Sequence, residues 1–171
     1  MANVSSNTTI TTQSTQQASS ATPGQATPTS VSQAFSCNLV NGTAADSADL
    51  NHVLTYTLSG SATTIDLSSL TDRYGNAVNF ARVRRLTIKN RSTTNGQILT
   101  VSGGSSNPWA AAWGATGSVI VHPSTVNNAS ALVLLAPNTT GYAVSGTSKT
   151  IKLDPGANTF QVDVEIEGAS A

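Results

Sequence analysis

Thr159-Phe160-Gln161-Val162-Asp163-Val164-Glu165-Ile166-Glu167 is the stretch that decides the fold class. Phe160, Val162, Val164 and Ile166 fall on one side of an extended chain, with Gln161, Asp163, Glu165 and Glu167 on the other. A period of two belongs to a strand with one face in a core and the other toward solvent or a partner. Working back toward the N-terminus, further strands are expected at 149–153, 142–145, 131–135, 118–121, 82–89, 63–67 and 52–58. Turn residues separate them at Pro137-Asn138, Gly146 and Asp154-Pro155-Gly156. No apolar pattern of helical period runs beyond about two turns. Eight or nine short strands with regular turns predict an all-β chain, an antiparallel β-sandwich or jelly roll.

Three local features refine this reading. Val83 and Leu86 are three residues apart, which breaks strict alternation and predicts a β-bulge at Arg84-Arg85. Asn95-Gly96 has the residues of a tight hairpin turn and predicts pairing between the strands on either side of it. Residues 102–117, rich in Gly and carrying Pro108 and both Trp residues, read as a long loop.

Before this region the pattern stops. Residues 1–45 contain no Lys, Arg, Asp or Glu, and 21 of the first 36 are Ser, Thr or Gln. Val4, Ile10, Val31 and Phe35 are the bulky apolar residues there, too few to offset the entropy of ordering the segment. Pro23-Gly24 and Pro28 interrupt any continuous helix or strand. The chain is therefore read as an extended, uncharged Ser/Thr/Gln-rich N-terminal arm, 1–45, followed by a β-sandwich domain, 46–171. The arm is expected to order only against a partner.

Composition narrows the function classes. Eight basic and eight acidic residues cancel, against a charged share of about a quarter in typical domains. A neutral, charge-poor surface is poorly protected against self-association, which points to a homo-oligomer or larger assembly. Cys37 is the single cysteine, so no intrachain disulfide is possible. No apolar run approaches the ~20 residues that span a bilayer, so no membrane partner is expected. The first residues show neither the basic nor the apolar part of a secretory signal, and folding in a cytoplasm is the expectation.

Catalytic chemistry has little to work with. His52 and His122 are the only histidines, and neither belongs to a metal-ligand pair; no nucleophile elbow or phosphate loop is present. Gly103-Gly104-Ser105-Ser106 reads as a turn, because no cation follows it before Lys149. Asp163, Glu165 and Glu167 alternate on one strand face about 7 Å apart. Such a row can hold Ca²⁺, but it more commonly forms a solvated strand face. The expectation is a non-enzyme with no cofactor and no metal.

Five of the eight cations, Arg82, Arg84, Arg85, Lys89 and Arg91, fall within ten residues. As a nucleic-acid patch they would neutralise phosphates, yet no aromatic residues are interleaved, and the arm lacks the Lys and Arg of a genome-packaging arm. Two readings remain: a charged edge strand that discourages aggregation, or a salt-bridging contact with Asp163, Glu165 and Glu167 in the same or a neighbouring subunit. The second makes all eight residues candidate intersubunit contacts. Trp109 and Trp113, with Tyr142, are candidates for a glycan-stacking platform or a subunit-interface anchor. They also suit a cap that folds the loop onto the core.

From residue 62 to 170 the sequence resembles small β-rich virion proteins of tailed bacteriophages and prophages. The resemblance is carried by Ile65-Asp66-Leu67-Ser68-Ser69-Leu70-Thr71-Asp72, Phe80-Ala81-Arg82-Val83-Arg84-Arg85-Leu86-Thr87-Ile88-Lys89-Asn90 and Leu99-Thr100-Val101-Ser102-Gly103-Gly104. Asn107-Pro108-Trp109, Gly141-Tyr142-Ala143-Val144 and Val164-Glu165-Ile166-Glu167-Gly168-Ala169-Ser170 add to it. It implies an auxiliary structural component of a phage particle, such as a capsid decoration or cement protein. Its partners would be other virion proteins, the major capsid protein first, and its location the virion after assembly in the host cytoplasm. The alternative is a carbohydrate-binding or host-adhesion module of a head or tail fibre.

Overall fold

The alternation along the last strand is what the folded chain buries. In the computed structural model, which describes residues 6–16, 29–124 and 130–171, Phe160, Val162, Val164 and Ile166 are buried. Gln161 is exposed, and Asp163 and Glu165 are half-buried.

Strand β1 (Ser6–Gln16) pairs with β2 (Thr29–Asn41), and the short β3 (Ser47–Ala48) runs parallel to the end of β2. Then come β4 (Leu50–Ser59), β5 (Thr63–Asp66), the small pair β6 (Leu70–Thr71) and β7 (Ala77–Val78), β8 (Arg82–Asn90) and β9 (Leu99–Gly103). A single helical turn, α1 (Ala110–Trp113), precedes β10 (Ser118–Val121). After it follow β11 (Ser130–Leu135), β12 (Tyr142–Ala143), β13 (Thr150–Asp154) and β14 (Thr159–Ala169).

Pairing shows how the chain is wound. β4 pairs with β14, β5 with β13, β8 with β11 and β9 with β10, all antiparallel. Strands leaving the N-terminal side are thus matched, in reverse order, by strands returning. This double ribbon rolls up when β8 also pairs with β14, and β9 with β13. One sheet runs β11-β8-β14-β4, with β12 added to β8; the other runs β10-β9-β13-β5. Leu86, Ile88, Val162, Val164 and Ile166 of the first sheet share one core with Ile65, Leu99, Val101, Ile151 and Leu153 of the second. The chain is an all-β antiparallel sandwich.

The bulge lies where the spacing of Val83 and Leu86 places it. Arg85 stands opposite Glu167 and Val83 opposite Gly168, leaving Arg84 as the extra residue. Gly168 is required here, because a Cβ on it would stand 2.1 Å from the Arg82 carbonyl oxygen.

The hairpin expected at Asn95-Gly96 is absent. The turn itself forms, with the Gln97 N–H donating to the Thr94 carbonyl and Gly96 at φ +85°. However, β8 continues in one sheet and β9 in the other. The Asn90 side chain fixes this crossing by donating to the carbonyls of Gln97 (2.9 Å) and Val121 (3.2 Å).

The arm also departs from expectation. It is extended but not a single strand, since Ser6–Gln16 pairs antiparallel with Thr29–Asn41 from Ser6↔Leu39 to Gln16↔Thr29. Thr is among the residues that favour strands, and backbone pairing needs no apolar side chains. The breaks read at Pro23-Gly24 and Pro28 lie outside the described residues. At its root the ribbon is not an appendage. Cys37 and Leu39 are buried with Ala48, and Leu135 of β11 packs against them.

Candidate functional site

That root covers one end of the outer face of the β4–β14–β8–β11 sheet, and the charged strips of the sequence meet beneath it. β8 and β14 are neighbours, so Arg85 stands across from Glu167 and Lys89 from Asp163. Arg85 Nη2 lies 2.5 Å from Glu165 Oε1 and 2.9 Å from Glu167 Oε1. The Asn51 amide donates to Glu167 Oε1 at 3.2 Å. The Arg85 and Glu167 side chains are 5 % and 1 % exposed, and that of Glu165 is 38 % exposed. Strand alternation would leave Glu167 in water, but the small core of Cys37, Leu39 and Ala48 closes over that end of the sheet. Burial pushes the Cys37 thiol pKa up; nearby Arg85 opposes the shift, while Glu167 and Asp46 reinforce it.

The strips therefore meet within one subunit, which is the same-subunit form of the salt-bridging contact read from the sequence. The physical reason is the winding of the chain, which puts the basic and acidic strands edge to edge in one sheet. At the other end, Arg91 reaches Asp163 at 3.4 Å with both side chains well exposed, a pair worth about 0–1 kcal/mol. Arg82 donates to the Thr139 carbonyl at 2.7 Å.

Arg84 has a different role, which the sequence did not reveal. It is wholly buried, and its guanidinium donates to the carbonyls of Thr43 (3.0 Å) and Pro137 (3.4 Å). Burial lowers its pKa and the charge of Arg82 lowers it further, against a smaller opposing effect of Asp46. It fastens the chain between β2 and β3 to the loop after β11. The Asp46 N–H, which donates to the same Pro137 carbonyl at 2.7 Å, reinforces that junction. A signal for the root was present in the sequence: Cys37 and Leu39 alternate with Ser36 and Asn38.

Trp109 is 0 % exposed, and its Nε1–H donates to the Ala143 carbonyl at 2.8 Å. Trp113 and Tyr142 meet it edge-on, with ring centroids 5.5 and 5.8 Å away. With no free face, Trp109 can neither stack a sugar nor anchor a partner. Trp109 takes the cap reading, in which the loop folds back onto the core, while Trp113 and Tyr142 are half-buried against it.

His52 is buried with both ring nitrogens engaged. Nδ1–H donates to the Thr71 carbonyl at 3.0 Å, and Nε2 accepts from the Tyr56 hydroxyl at 3.1 Å. His122 is exposed. Among the described residues, no three His, Cys, Asp or Glu side chains gather as metal ligands, and no helix is long and apolar enough to cross a membrane. A paired ribbon of uncharged sequence is joined to the sandwich through a buried arginine and a small core, which lies over the Arg85–Glu167 ion pair between β8 and β14. Comparison with family models, with curated proteins and with solved structures gives no match.

Proposed function

We propose that this chain is a structural virion protein of a tailed bacteriophage, a capsid decoration or cement protein that attaches through its N-terminal ribbon. The observation that carries the reading is the anchoring of the ribbon. Strands whose sequence is uncharged are joined to the sandwich by Leu39, Cys37 and Arg84, so a pull on the ribbon is borne by the domain. Docking such a ribbon desolvates no charge, and its backbone can extend a sheet edge of the shell protein. Eleven residues at about 3.3 Å each give it a reach of roughly 36 Å.

Strand order supports a jelly-roll domain. With the eight long strands of the sandwich numbered in sequence, the sheets run 6-3-8-1 and 5-4-7-2, and the primary pairs are 1·8, 2·7, 3·6 and 4·5. Jelly rolls recur in viral capsid proteins, but a fold hosts many functions and is here only an analogy. The resemblance over residues 62–170 points the same way, and burial takes the Trp109 ring out of any glycan-stacking platform.

The test is quantitative. The protein should co-purify with assembled particles at a fixed, high copy number, and a chain lacking residues 1–36 should lose the particle while remaining folded. A handful of copies per particle would indicate a fibre component instead.

A further inference from the structure

β4 is the longest edge strand of the sandwich, ten residues against four in β5, four in β10 and six in β11. Proteins usually protect such edges with charges, proline, bulges or brevity. Leu-Asn-His-Val-Leu-Thr-Tyr-Thr-Leu-Ser contains no charge, no proline and no glycine. Its register with β14 runs unbroken from Thr159↔Ser59 to Gly168↔Leu50.

The backbone groups left over can be assigned. The Gly60 N–H donates to the Asn158 carbonyl, and the Arg91 N–H to the Gln161 carbonyl. Since alternate residues turn their backbone toward a given neighbour, even-numbered residues of β14 bond to β4 and odd-numbered ones to β8. In β4 the even-numbered residues therefore bond inward, and Asn51, Val53, Thr55, Thr57 and Ser59 present their N–H and C=O outward. No backbone hydrogen bond joins them to another described residue. Val53 and Leu54, 41 % and 47 % exposed on opposite faces, lie beside this open row.

We infer that the edge pairs with β4 of a second copy, antiparallel about a two-fold axis at Thr55. The run 53–57, exposed except for the half-buried Tyr56, is self-complementary about that residue. Leu54 would face Tyr56 of the other copy on one side of the sheet, and Val53 would face Thr57 on the other. Thr55 would face its own equivalent, exchanging two backbone hydrogen bonds. Apolar–aromatic, β-branched and Thr–Thr pairs are the favourable cross-strand combinations. The same lack of charge that leaves nothing for an ionic partner to recognise removes self-repulsion between copies. The two β11-β8-β14-β4 sheets would become one continuous sheet.

The full chain tests this without any particle, independently of the virion reading. Sedimentation at tens of micromolar should give twice the 17.4 kDa chain mass. Thr55→Lys, which sets like charges against each other at the axis, should give a folded monomer whose thermal midpoint no longer depends on concentration. Thr55→Pro removes an outward-facing N–H, along with the exposed hydroxyl bond to Asp163, and should do the same. Nitroxides on Ser59→Cys, with Cys37 buried, should report one separation near 26 Å, eight residues at about 3.3 Å. A monomeric wild-type chain, a dimer that survives both Thr55 variants, or labels much farther apart would each overturn the proposal. The last result would mean that another segment, such as the ribbon of a second copy, occupies the edge.

Discussion

Arg84 and Arg85 are adjacent and equally buried, yet their circumstances are opposite. Arg85 is held by two carboxylates, so removing it takes the ion-pair partner from the buried Glu167, a loss of about 3–5 kcal/mol. Arg84 faces only carbonyl oxygens, and its Nε finds no acceptor. Replacing it removes a desolvated charge along with two hydrogen bonds of about 1.5–3 kcal/mol each, so the effects partly cancel. Arg85→Met should therefore destabilise much more than Arg84→Met in urea titrations; equal losses would show that the ion pair is not what matters. His52 gives a second check. Burial lowers its pKa, and the Thr71 hydrogen bond offsets that only in part. As pH falls below about 6.5, the unfolded chain takes up this proton before the folded one does. The His52 contribution is thus complete above that value and is lost as pH drops through the folded pKa. His52→Phe should flatten this slope as pH falls below about 6.5, as measured by unfolding free energy across pH.

At the scale of elements, what could be read from the sequence was whatever depends on local periodicity. The apolar face of β14 and the bulge at Arg84 follow from side-chain spacing alone, and both are found. The turn at Asn95-Gly96 was equally legible, but which sheet each flanking strand joins is decided by distant partners: β11 and β14 for β8, β10 and β13 for β9. Trp109 illustrates the same limit. Its loop carries no periodicity, and its burial depends on Ala143 and Thr150, which hold its ring N–H and backbone N–H from later strands. The two charged strips were legible as strips. That they meet inside one subunit required the winding of the whole chain.

At the scale of the molecule, the arm is where composition misled. Its Ser, Thr and Gln content argues against a core, and that argument holds for a segment that must fold by burial. A ribbon that satisfies its own backbone needs little core beyond its root, where Leu39 and Cys37 meet Ala48 and Leu135. This division gives the final prediction. Deleting residues 1–36 removes β1 and most of β2 but keeps Cys37, Leu39 and the Thr43 carbonyl that Arg84 grips, so the thermal midpoint should move by only a few degrees. Leu39→Asp leaves the ribbon sequence intact but puts an unpaired carboxylate in the small core that shields Arg85 and Glu167, and should cost several kcal/mol. If the deletion destabilises more than the point substitution, the ribbon is part of the domain's own stability rather than a device for reaching a partner. The opposite order, with particle binding lost in the deletion, is what an attachment ribbon on a self-sufficient sandwich requires.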